Sequence, residues 1–418
     1  MRRNLLTALY SVAGLTLAAW TVPTAAHASP ASTHVKCGQT LTSSIRLANS
    51  LSGCPGDGLV IGADNITVDL AGHSIRGVNA AGSEGIADDG HPGVRIRNGT
   101  IATFFLNGVG LRGAPRSEVS DMRIREIGAG GVENEVSAGV LVKNSANTLV
   151  FASTVTNHVS AFQSDGVDVL SSAGTMVIGN RIANNAWDGM VVIGSPGTRV
   201  IGNALSGNKN QGIEVNLGSD RSLLAGNYAR NNVSSGLVVG AVSRTRIEAN
   251  ILTGNGESGL FMFDLMNSRV SGNRASSNGV GIDLEGGQHG SSGNRLAHND
   301  TSHNVHAGLE VASGANDNLV VGNVANANRG GPDDGGGIVL FAVTGNTARG
   351  NVANQNRDVG IGVLEDQPGD STGNVLTANT ANSNRNHGIS AVAGTVDGGG
   401  NMAHHNTPPP DCIGVVCT

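Results

Sequence analysis

The sequence predicts an all-β protein: a right-handed parallel β-helix of about a dozen coils. Three observations carry this. Gly followed by an apolar residue returns at Gly166, Gly189, Gly212, Gly236, Gly259, Gly281, Gly308, Gly337, Gly360 and Gly388, mostly at intervals of 22–24 residues. A Gly-Asn pair runs alongside it at Asn180, Asn203, Asn227, Asn273, Asn294, Asn323, Asn346, Asn374 and Asn401, with Asn250 keeping the place after Ala. A second asparagine stands five residues on, as in Asn185, Asn208, Asn232, Asn299 and Asn351. A repeat near 23 residues is too short to bury a core alone, so neighbouring coils must cover one another.

Each coil divides into short strands. After the Gly anchor, inward apolar positions alternate, as in Ile213/Val215 and Ile282/Leu284. Ile182, Leu205 and Leu252 lie two residues after the Gly-Asn asparagine. Val177, Val200, Leu224, Ile247, Val270, Val320 and Val343 supply a third strand before it. Asparagines in register can form an amide ladder from rung to rung. Asn and Gly also suit the left-handed backbone of corners. In four later coils the gap from Gly-Asn to the anchor is 15 residues instead of 10, which predicts an added corner at Asn304, Asn356 and Asn384, with Asp333 in the remaining coil. The tube is therefore expected to widen on one flank toward its C-terminal end.

The ends read differently. Residues 1–28 look like an export signal, with Arg2-Arg3, an apolar run through Trp20 and Ala26-His27-Ala28 before cleavage. Ordinary secretion is expected, with no membrane span. The mature chain then holds 24 basic and 32 acidic residues, which argues against nucleic acid as a partner. An oxidising compartment predicts disulfides Cys37–Cys54 and Cys412–Cys417 rather than zinc. The expected organisation is a cap at 29–54, the β-helix at 55–401 and a C-terminal cap at 402–418, in a monomer.

The runs PGDGLVIGADNITVDLAGHSIRG (55–77) and GVRIRNGTI (93–101) resemble the opening coils of secreted bacterial β-helix proteins of the pectin-lyase-like superfamily. The Gly-Asn/Gly-Ile coils are similar to its repeats, including those of the periplasmic copper-binding members. The resemblance spans about residues 37–401 and implies the fold, while one scaffold hosts many activities. The calcium-binding aspartates and motif arginine of pectate lyases are missing. Asp88-Asp89, Asp333-Asp334 and His289-Gly290 do not reproduce the polygalacturonase order, and the Asp-Pro-His-Glu signature of alginate epimerases is absent. Scattered methionines and committed cysteines give copper little support.

Candidate sites therefore come from position alone. Residues two and four after each anchor should face outward on one sheet. That brings Asp283, Glu285 and Glu310 together beside Phe261 and Phe263, with His303 and His306 from the corner before Glu310. Crowded carboxyls raise a pKa for acid–base work or recruit a cation, calcium being the candidate. Asp165, Asp168 and Asp188 form a second cluster beside Trp187, which could stack on a sugar. The plainer reading, and the favoured one, is a solvated face for the first group and turn capping for the second. Two functions compete: a lyase or hydrolase acting on an extracellular polysaccharide along an outer groove, and a noncatalytic β-helix that binds or scaffolds cell-wall polymer.

Overall fold

A computed structural model describes residues 32–128, 137–159, 163–330 and 335–418. The expected signal peptide and Asp333-Asp334 lie outside them. Every regular element among the described residues is a strand, and all named pairings are parallel. No helix among them is long and apolar enough to cross a membrane. One sheet holds sixteen strands, one per coil, so the solenoid has about sixteen coils rather than a dozen. The other two faces join into a 24-stranded sheet, because Arg95–Ala102 and Glu118–Arg125 run unbroken through a corner.

The anchor glycines have a different cause from the one expected. None of Gly166, Gly189 or Gly212 takes a left-handed φ. A Cβ on Gly189 would instead sit 2.5 Å from the Gly212 carbonyl oxygen on the next rung, and one on Gly212 2.4 Å from that of Gly236. The same close approach recurs from Gly58 to Gly360. Coils stack this tightly only where the side chain is hydrogen.

Left-handed backbone belongs to the residue before each ladder asparagine: Gly202 (φ 64°), Ala249 (54°), His298 (54°) and His303 (65°). The asparagines themselves are buried and bonded from rung to rung, although the Oδ1 of Asn185, first in its ladder, has no partner. Asn227 Oδ1 accepts from both the backbone N–H (3.0 Å) and the Nδ2 (3.0 Å) of Asn203. Asn227 Nδ2 donates in turn to Asn250 Oδ1 and to the Val200 carbonyl.

These bonds correct the coil register. Asn304, Asn356 and Asn384 are no added corner; they continue the ladder of Asn185, Asn232 and Asn278. The marker that changes is upstream. A corner held by Thr245 and Ser268 passes to Asn294, Asn318, Asn346 and Asn374. It runs through the earlier coils as well, carrying hydroxyl side chains there, so the expected widening by a corner does not occur. Extra length instead enters as loops after Val280–Glu285 and Val359–Leu364. Val343 consequently lies outside a strand, although its side chain is buried.

Both disulfides form, Cys37–Cys54 and Cys412–Cys417. The N-terminal segment is already coiled: Gln39–Leu41 pairs with Leu59–Ile61, and Ile45–Leu47 with Thr67–Asp69. At the other end Cys412–Ile413 adds the last strand to the sixteen-stranded sheet.

Candidate functional site

The outward column of the sixteen-stranded sheet follows from its register. Leu141 pairs with Asp168, Asp168 with Val191, Val191 with Glu214, and Glu214 with Val238. The column continues through Phe261, Asp283, Glu310 and Val339. Side chains that point away from the coil are nevertheless mostly dry: Leu141 is 9% exposed, Val238 6% and Val339 1%. From that dryness we infer a shallow trough along the solenoid, with this column as its floor. One flank is a ridge set by bonds from Asn210 N–H to the Trp187 carbonyl and from His306 N–H to the Gly279 carbonyl. The other is the column with Ile193, Asn216, Phe263 and Glu285.

The trough holds two acidic groups. Asp283 and Glu310 are partners on consecutive rungs, so their backbones lie ~4.8 Å apart. Glu285 stands two residues along the Asp283 strand, over Phe263. The Phe261 and Phe263 rings lie 5.7 Å apart, and Phe263 leans back over Gly240 on the preceding rung. Asp283 Oδ1 is buried without a hydrogen-bond partner. Burial first, then the charges of Glu310 and Glu285, push its pKa up to about 8. His303 and His306 are exposed. His303 is accounted for by its corner: its left-handed backbone bonds Ser277 and Asn326 on the rungs either side.

The second group is deeper. Asp165, Asp168 and Asp188 are all buried. Asp165 Oδ1 accepts from Asp188 N–H (2.8 Å) and Asp188 Oδ1 from Gln211 N–H (2.7 Å), which makes these two a carboxylate ladder like the asparagine ones. Asp168 takes no part in that ladder, and its Oδ1 is unpartnered. Burial first raises all three, Asp165 well above its ordinary range and Asp168 and Asp188 to about 8. Glu214 adds its charge to each of them. With its amide turned to donate, Gln211 bridges Asp188 and Glu214. Glu214 was missed from sequence because valines separate it from its column mates, although Asp168 lies only two rungs away. Trp187 is 39% exposed on the ridge.

Metal is a separate matter. Among the described residues no three His, Cys, Asp or Glu side chains are disposed to hold an ion.

Three solved structures show the range of similar chains. The periplasmic alginate epimerase AlgG is 15% identical over 85% of this chain and 76% of its own, with a TM-score of 0.48. The Dettilon tailspike protein is 16% identical over 88% of this chain and 62% of its own, at 0.47. The Azotobacter vinelandii mannuronan C-5 epimerase AlgE4 A-module is 13% identical over 87% and 90%, at 0.42. No curated protein matches the sequence. The profile of the family described as "Right handed beta helix region" matches residues 57–227, 132–264 and 224–371, most of the coiled chain. The chain belongs to that right-handed β-helix family.

Proposed function

We propose that the protein is secreted and acts as a monomer on an extracellular polysaccharide laid along this trough, with Asp283 and Glu310 as the reacting pair. The observation that carries the reading is their pairing on consecutive rungs, with the Asp283 carboxyl held protonated near neutral pH. A protonated carboxyl beside a charged one is the arrangement that glycosidic bond cleavage uses. Asp283 donates the proton to the leaving oxygen and Glu310 is the charged partner. Phe261 and Phe263 offer an apolar shelf to a sugar ring, and Trp187 a second one further along the ridge. Between Asp168 and Glu310 the floor column carries carboxyls and apolar side chains without Arg or Lys, which favours a neutral or amine-bearing polymer over a polyuronate.

The test is a panel of neutral, amine-bearing and acidic polysaccharides, read by reducing ends and by the absorbance of unsaturated ends. Asp283→Asn with Glu310→Gln is expected to abolish turnover with the thermal midpoint nearly unmoved. Polymer binding without turnover by the parent protein would establish the noncatalytic scaffold instead. Unchanged turnover in the double variant would return the pair to a charged surface.

A further inference from the structure

On another face of the coil, four consecutive rungs line an open cavity of about 300 Å³, at the lower end of the ~300–1,000 Å³ range of small-ligand sites. Its charged lining is entirely basic: Arg76, Arg123 and Arg125, with the hydroxyls of Ser74, Thr100, Thr154 and Thr156 between them. The register fixes their places. Ser74 pairs with Thr100, Thr100 with Arg123, and Arg123 with Thr154. Arg76, Ala102, Arg125 and Thr156 form the parallel column two residues along. Arg123 and Arg125 thus project from one strand to the same side, and Arg76 faces Arg125 from two rungs away, ~10 Å.

Their charges are unevenly matched. Arg125 is paired with Glu126. No carboxylate pairs with Arg76 or Arg123 among the described residues, and what sets these two apart from other unpaired arginines is that both line one hollow. In a chain whose net charge is negative, two unpaired arginines at one hollow are an uncompensated positive site. Guanidinium forks and hydroxyl donors together match the oxygens of an oxyanion.

We propose that this cavity binds an oxyanion, a sulfate or phosphate group carried on a polymer, at a site separate from the acidic trough. Arg76 and Arg123 hold it, and the threonine hydroxyls complete its hydrogen bonds.

The probe is dextran sulfate, with neutral dextran as control, titrated calorimetrically into the full chain at low salt. Dextran sulfate is expected to bind and dextran not. Arg76→Gln with Arg123→Gln should weaken binding at least tenfold, while Arg246→Gln with Arg269→Gln, on the same sheet beyond the cavity, should leave it within twofold. Free sulfate should displace the polymer better than chloride at matched ionic strength, because the cavity recognises the oxyanion and not charge alone. Arg76→Lys with Arg123→Lys keeps the charge and loses the fork, so it should keep polymer binding and lose the preference for sulfate over chloride. Equal displacement by the two salts, or equal weakening in the two glutamine pairs, would overturn the site and leave diffuse attraction. Failure here leaves the trough untouched, since none of these residues lies on it.

Discussion

Single atoms decide what several positions tolerate. Gly189→Ala places a methyl carbon 2.5 Å from a backbone oxygen that cannot move without parting two coils. We expect a loss of several kcal/mol, at the upper end of single substitutions, measured by chemical denaturation. A fall under ~1 kcal/mol would show that the coils can part to admit it. The buried carboxyls make a different prediction. Asp168 and Asp188 titrate near 8 in the fold, against an ordinary carboxyl value near 4 when unfolded. Between those values the unfolded chain gives up protons that the fold retains. Their contribution is therefore fully present below about pH 4, falls as pH rises toward about 8, and is flat above it. The slope is up to ~1.4 kcal/mol per pH unit for each group. Thermal midpoints from pH 5 to 9 should decline, and the decline should shrink in Asp168→Asn with Asp188→Asn. A parallel decline in that variant would place the titration elsewhere. In the proposed reaction Asp283 acts while protonated, so turnover should be lost as pH rises through about 8, and a pH–rate profile checks this.

At the scale of the corner and its ladder, most of the fold was legible and the register was not. The Gly and Asn periods specify stacked coils because each marks a place where only one side chain serves: no Cβ at the anchor, a donor and acceptor in the corner. Gly-Asn occurs at two different corners, however, Asn273 and Asn323 in one and Asn294 and Asn346 in the other. A single aligned column merged them, and the merging produced the false widening. Thr and Ser at the second corner of the early coils were the missing signal, since a hydroxyl fills the same acceptor role. In the site, position in the outward column was readable from spacing, whereas the dryness of that column was not, because it depends on the flanking ridges. The ladder predicts an asymmetry. Asn227→Ala strands two donors of Asn203, each worth about 1–3 kcal/mol when left unmet, so ~2–6 kcal/mol should be lost. Ser268→Asn extends a ladder already asparagine from the next coil onward and should cost little, under ~0.5 kcal/mol. Equal costs for the two changes, measured side by side, would mean that corner shape and not amide pairing governs the ladder.

For the whole molecule, a solenoid in which each coil touches only its neighbours makes stability local. Interior coils are covered on both sides, while the first described coil has one full neighbour and only the short strand Ser32–Thr33 against its other side. There the Cys37–Cys54 bond ties the strand Gln39–Leu41 to the end of Leu51–Cys54 across a loop of 17 residues. By loop closure, a crosslink of this span stabilises by roughly 3 kcal/mol, a factor of roughly a hundred in the opening equilibrium. In a two-state globule that loss would lower every region together. Here it should fall on the terminal coils, because opening them requires breaking only one interface. Hydrogen exchange on reduced protein, or on Cys37→Ser with Cys54→Ser, should therefore accelerate by up to about a hundredfold over residues 39–61. Exchange across the coils from 166 to 388 should stay within a factor of a few. Uniform acceleration along the chain would show instead that all the coils unfold as one cooperative unit, with the N-terminal staple setting the stability of the whole.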